Sequence, residues 1–216
     1  MCWNADISLN TFVFACLALV FIAVANTTKY KSRFFDNKFM YAFVFAVAAM
    51  QLVEYFLWKN LKNSARNLML SRTAITLIMA QHLSLMAMIP NGNTRFYMYL
   101  VYAFAILLFY YIKYPSVSVK TSVAKNGHLC WEWMNFKGLD LLWVWVGLLF
   151  YLVPALLLGH FLFTLLIFLF LAVSLFYYGK FNTFGTVWCW AVNLLFFVIL
   201  VDILLVKPYR EYNGLC

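Results

Sequence analysis

Acidic residues are scarce in this chain: 7 Asp+Glu among 216 residues, with charged residues of both signs amounting to 11%. A soluble domain carries about a quarter, so a water-soluble globule is excluded. Histidines number only three, and the five cysteines form no CxxC pair. Composition alone therefore leaves the redox compartment open. No nucleotide-binding loop, serine-nucleophile elbow or HExxH motif occurs, which removes the best-marked enzyme classes. No basic stretch precedes the first apolar run, and no small-x-small cleavage site follows it before the basic cluster at Lys29. The first run thus reads as a retained span rather than a signal peptide.

What fills the chain is apolar: 66% of it, with 23 Phe, 14 Tyr and 8 Trp, arranged in long runs. About 17 to 20 apolar residues cross a bilayer as a helix. That template fits seven times, at about 7–25, 39–58, 72–89, 96–113, 139–158, 161–178 and 184–206. Gly159-His160 divides a stretch too long for one span, and Pro90-Asn91-Gly92-Asn93 and Lys180-Phe181-Asn182-Thr183 are turn chemistry. The expected fold is all-α: residues 1–216 form a single seven-helix transmembrane domain with short loops, one longer connection lying at 114–138.

Seven spans put the termini on opposite sides. We call the N-terminal side A and the other side B. The net charge of +9 comes from short basic clusters between the runs, such as Lys29, Lys31, Arg33 and Lys38. These fit a lipid bilayer with anionic headgroups rather than nucleic acid. Basic residues follow the first span and none precedes it, which favours an N-terminus outside or lumenal and a cytosolic C-terminus. Asn26-Thr27-Thr28 has the form of a glycosylation sequon but abuts a span on side B, so it is expected to be unused.

Polar groups in hydrocarbon are costly and usually face a bundle interior or cavity. Span 1 has Ser8, Asn10 and Thr11 near side A. Span 2 has Gln51, Glu54 and Trp58 at i, i+3 and i+7, on one helical face. Span 3 has Gln81, His82 and Ser84, and span 7 has Cys189, Asn193 and Asp202. Spans 4 to 6 carry almost nothing polar. Helices 1, 2, 3 and 7 are thus expected to enclose a polar pocket open to side A, with 4 to 6 as a lipid-facing apolar wall. In it Glu54 would bind a proton and a facing His82 would share it. Gln51, Gln81 and Asn193 would line the path.

Three Trp–Cys pairings converge on side A by topology: Cys2-Trp3, Cys130-Trp131 and Trp188-Cys189. Trp3, Trp58, Trp131 and Trp188 would flank the mouth, although Trp at span ends is also ordinary interfacial anchoring. Cys2, His128, Cys130 and Cys189 leave three readings open. They could form a disulfide if side A is lumenal, a soft-metal site for zinc or copper, or free thiols in an aromatic belt. No cofactor is predicted. A retinal Schiff base is not expected, because the last span has no lysine before Lys207.

The opening Met1-Cys2-Trp3-Asn4-Ala5-Asp6-Ile7-Ser8, with Gln51-Leu52-Val53-Glu54-Tyr55-Phe56-Leu57-Trp58, resembles a group of uncharacterised seven-helix membrane proteins. These occur in large DNA viruses and protists, with more distant bacterial relatives. The resemblance points again to Cys2, Trp3, Gln51, Glu54 and Trp58, and implies no reaction.

The leading expectation is a small transporter or channel for protons or a small solute. The alternatives are a structural or assembly protein of a viral or organelle membrane and a membrane-embedded thiol or metal enzyme. Assembly as a homo-oligomer is compatible with each.

Overall fold

A computed structural model describes residues 4–112, 119–133, 139–159 and 161–214, without the side chains of Arg33, 139–140, 161–163 and 186–192. Helices occupy every segment where a span is expected: α1 (Ala5–Ala25), α2 (Lys38–Asn60), α3 (Ser64–Ala87), α4 (Gly92–Ile112), α5 (Leu139–Leu157), α6 (Phe161–Tyr178) and α7 (Gly185–Val201). A π-helical turn at Asp202–Val206 leads from α7 into a short α8, Lys207–Tyr212.

Among the described residues four segments are long and apolar enough to cross a membrane: Ala5–Ala25, Lys38–Asn60, Gly92–Ile112 and Thr164–Phe181. The chain thereby fits an integral membrane location. Helix α5 contributes a shorter apolar stretch, Leu141–Leu157. Helix α3 is long, but Arg66, Arg72, Gln81 and His82 dilute it; it begins eight residues before the apolar run suggests.

Asparagine starts the first four helices. The side-chain oxygens of Asn4, Asn37, Asn63 and Asn91 accept from the backbone N–H of Ile7, Phe39, Arg66 and Thr94 at 2.9–3.1 Å. Each satisfies a donor that the first helical turn leaves unbonded.

Helices α1 and α2 pack through small side chains. Ala15, Ala18, Ile22 and Ala25 are buried with Val44, Val47 and Ala48 in the largest core cluster. Small residues let backbones approach where no water drives helices together. The opposite face of α1 (Leu17, Val20, Val24) is exposed, and α4 buries only Tyr102. Apolar faces this continuous suit lipid contact.

On side B, Asn26 holds the first connection. Its Nδ2 donates to the Phe35 carbonyl (3.2 Å) and to the Tyr41 hydroxyl (2.8 Å), and its Oδ1 accepts from the Ser32 N–H (2.7 Å). The amide of the formal sequon is thus fully engaged in structure. The same connection clasps α8: Lys29 pairs with Glu211, the Tyr30 hydroxyl donates to Glu211 (2.5 Å), and Lys207 reaches the Lys31 carbonyl (2.6 Å) and Asp202 (3.1 Å).

The long connection on side A carries a β-hairpin, an element the all-α expectation omits. Strands β1 (Thr121–Val123) and β2 (Leu129–Trp131) pair antiparallel in the register Thr121↔Trp131. Gly127 closes the turn at φ 77°, a left-handed conformation that glycine adopts without steric penalty. The hairpin lies flat on α3. Asn67 Nδ2 donates to the Thr121 carbonyl (2.8 Å), and Asn67 Oδ1 accepts the Thr121 N–H (3.0 Å). Ser71 meets the Thr121 hydroxyl at 2.7 Å. Further contacts run to the α6–α7 connection: Trp131 N–H donates to the Asn182 carbonyl (3.4 Å), and Asn126 donates to Thr183 (2.9 Å).

Candidate functional site

The polar residues of the expected single pocket fall into two separate places. The first is on α2, where Gln51 and Glu54 are buried, Glu54 at 0% exposure, and the Thr11 hydroxyl of α1 donates to Gln51 Oε1 at 3.0 Å. The second lies among α3, α4 and α5. Gln81 Oε1 accepts from the Tyr151 hydroxyl (2.5 Å), Gln81 Nε2 donates to the Ala46 carbonyl (3.4 Å), and His82 Nδ1 meets the Tyr102 hydroxyl (3.2 Å). The His82 ring also stacks edge-on against Tyr151, with centroids 4.3 Å apart.

This arrangement corrects two expectations. Glu54 and His82 do not face one another. The Gln81–Ala46 bond sets the level of the two antiparallel helices, and Glu54 stands eight residues farther along α2, about 12 Å toward side A at 1.5 Å per residue. Nor do α4 and α5 form a purely apolar wall, for Tyr102 and Tyr151 turn inward and supply the hydroxyls that His82 and Gln81 need. Asn193 is half-buried on α7 and does not line the cavity described next.

A cavity of about 190 Å³ opens among α3, α4, α5 and the hairpin. Its inner end is formed by Gln81, His82, Tyr102, Phe150 and Tyr151; its outer end by Phe109, Trp131, Trp133 and Trp143. The ends are seven residues apart on each of α3 (Ile75 to His82), α4 (Tyr102 to Phe109) and α5 (Trp143 to Phe150), which makes the cavity about 10 Å deep. Pro154 has no N–H to give the Phe150 carbonyl, so the α5 backbone is weakened beside the inner end. Among the described residues no lining side chain is charged.

Of the expected mouth residues, Trp58 and Trp131 meet in one apolar cluster with Leu57, Leu70, Ala74 and Leu129. Trp131 lines the cavity and Trp58 lies outside it. Trp3 and Cys2 lie outside the described residues, as do the side chains of Trp188 and Cys189. Sequence reasoning missed Trp133 and Trp143. The Trp131-Glu132-Trp133 repeat was the available signal, since alternate residues share a face in extended chain.

Cys2 and the Cys189 side chain, the expected disulfide partners of Cys130, lie outside what is described, and Cys130 itself is a half-buried free thiol. Burial pushes its pKa up, and the nearby Glu132 carboxylate adds to this against an opposing Ser122 hydrogen bond. A thiol so placed stays protonated near neutral pH and is a poor nucleophile. His128 is buried against Tyr178, and burial lowers its pKa, so it is neutral there as well. Among the described residues no group of three or more His, Cys, Asp or Glu side chains could hold a metal ion.

Fold and site together define a helical protein that fits an integral membrane location and holds a small, aromatic-walled cavity. No family model, curated protein or solved structure matches the chain.

Proposed function

We propose that the protein is a small seven-span transporter that carries protons or a small solute, with its N-terminus outside or lumenal. The observation that supports this reading best is the complete burial of Glu54 within α2. An ionisable side chain inside a membrane helix is expensive and tends to mark an ion or proton pathway. Gln51, one turn away and tied to Thr11 of α1, would orient the carboxyl group. The Gln-x-x-Glu resemblance points to the same two residues. Proton flux into proteoliposomes tests the proposal: Glu54→Gln abolishes it and Glu54→Asp retains part. Equal flux through wild type and Glu54→Gln overturns it.

One observation favours a second reading, a structural or assembly role. Gln51, Gln81 and His82 all bond to neighbouring helices and could serve packing alone. Under that reading Glu54→Gln lowers thermal stability and alters nothing else.

A further inference from the structure

The seam between α4 and α5 is where the cavity meets the outside of the bundle. Two aromatic contacts fix its register: Tyr102 meets Phe150 with ring centroids 4.7 Å apart, and Phe109 meets Trp143 at 5.5 Å. In antiparallel helices a step forward on α4 is a step back on α5. Ala105 therefore stands level with Gly147, and Ile106 with Val146. On each helix these positions follow the i, i+3, i+4, i+7 spacing of a packed face, yet every one of them lines the cavity. The four between the aromatic pairs are partly exposed, and a Cβ built on Gly147 meets nothing within 4 Å among the described residues. The aromatic pairs thus close the seam at its two ends and leave a slot between them.

The depth of the slot identifies what lies outside it. Ala105 is seven residues, about 10 Å, from the side-A end of α4 at Ile112, well inside a candidate membrane span. Beside it Phe104 (63% exposed) and Leu107 (68%) cover the outer face. A bilayer presents hydrocarbon chains at that depth.

The cavity has the dimensions for the same occupant. A void of about 150 Å³ takes up benzene, with its six carbons, so the 190 Å³ here holds roughly eight. An extended hydrocarbon chain advances about 1.25 Å per carbon at ordinary bond lengths, so eight carbons span about 10 Å, the depth of the cavity. Val144, Leu148 and Leu171 offer such a chain aliphatic contact. An empty void forfeits those dispersion contacts, and a chain passing from lipid into the cavity meets no water on the way.

We propose that an acyl chain of a bilayer lipid enters the cavity sideways, through the α4–α5 slot at the level of Ala105 and Gly147. The inference rests on the cavity and the membrane location, and is independent of proton movement at Glu54.

A phosphatidylcholine carrying a diazirine midway along its acyl chain tests it, with the full chain in nanodiscs. Irradiation expels N₂ and leaves a carbene that inserts into adjacent C–H bonds, and peptide mass spectrometry locates the adducts. Surrounding lipid labels Phe104 and Leu107 in any case. Leu148 and Leu171, each 6% exposed, line the cavity and are labelled from within it. The wild type should show both sets. Gly147→Leu and Ala105→Leu each plug the slot, lose the inner set and keep the outer one, whereas Leu107→Ala keeps the inner set. Near-ultraviolet circular dichroism checks the packing of each variant, and one that folds suffices. Wild-type adducts confined to the outer residues mean a dry cavity and overturn the proposal without any variant. Inner adducts that persist in the plugged variants overturn it too, because the cavity then fills from side A.

Discussion

Cutting the hairpin from α3 is the perturbation whose outcome the structure fixes most closely. Asn67 is 3% exposed and gives both halves of its amide to one residue, Thr121, whose backbone it bonds as an additional strand would. In Asn67→Ala the Thr121 N–H and C=O lose their partners while still buried. Each orphaned group costs about 1–3 kcal/mol, so the pair should cost about 2–6 kcal/mol. For a chain of this length that corresponds to a fall in Tm of roughly 4–24 °C. Thr73→Ala is the control on the same helix, since the Thr73 hydroxyl merely returns to the Met69 carbonyl on an exposed face. The assay is thermal unfolding in one detergent, followed by near-ultraviolet circular dichroism, which reports the tryptophans that the hairpin presses together. A change in Asn67→Ala no larger than in Thr73→Ala would refute the idea that these bonds hold the hairpin down.

Three further outcomes can be checked together. Tyr151→Phe strips Gln81 Oε1 of its donor inside the bundle and should lower stability by about 1–3 kcal/mol; an unchanged unfolding midpoint would show that water takes over the role. Ala18→Leu forces a large side chain into the α1–α2 seam and should cost about 1–3 kcal/mol or more, whereas Leu17→Ala on the exposed face should be nearly silent. The clasp between Lys29, Tyr30 and Glu211 should depend on pH. Hydrogen bonds from Lys29 and Tyr30 hold the Glu211 carboxyl below the usual range. Its contribution is therefore present above the ordinary carboxylate pKa and is lost as pH falls through the depressed value. The same pairing raises the Lys29 pKa, so that contribution is present below the ordinary lysine value and fades only as pH rises through the raised one. Amide exchange across 207–212, normalised for intrinsic rate, should be protected at pH 7 and unprotected in acid; equal protection at both would sink the idea.

The helices were legible because runs of apolar residues bounded by asparagine and turn residues leave the backbone few alternatives. The buried polar positions Gln51, Glu54, Gln81 and His82 were legible for the same reason, as rare exceptions within such runs. Their partners were harder to see. Tyr102 and Tyr151 read as apolar in any hydropathy count, yet their hydroxyls decide where Gln81 and His82 point. The vertical offset of Glu54 from His82 depends on the level at which α2 and α3 cross, which is set by packing rather than by the position of either residue in its run. The hairpin escaped notice because three-residue strands such as Thr121-Ser122-Val123 leave no periodicity to detect. Its stability comes from Asn67, more than fifty residues earlier in the chain.

The hairpin also imposes an order of events on biogenesis. It leaves the ribosome after α3, so the Asn67 contacts can form at once. Asn182 and Thr183, which hold its other side, are synthesised only after α5 and α6. Until then the tryptophans of the hairpin rest on half a foundation, and the side-A face of the nascent bundle stays open. Closure of that face is thus a late step in the life of the new chain, completed only when the last hairpin of helices comes into place.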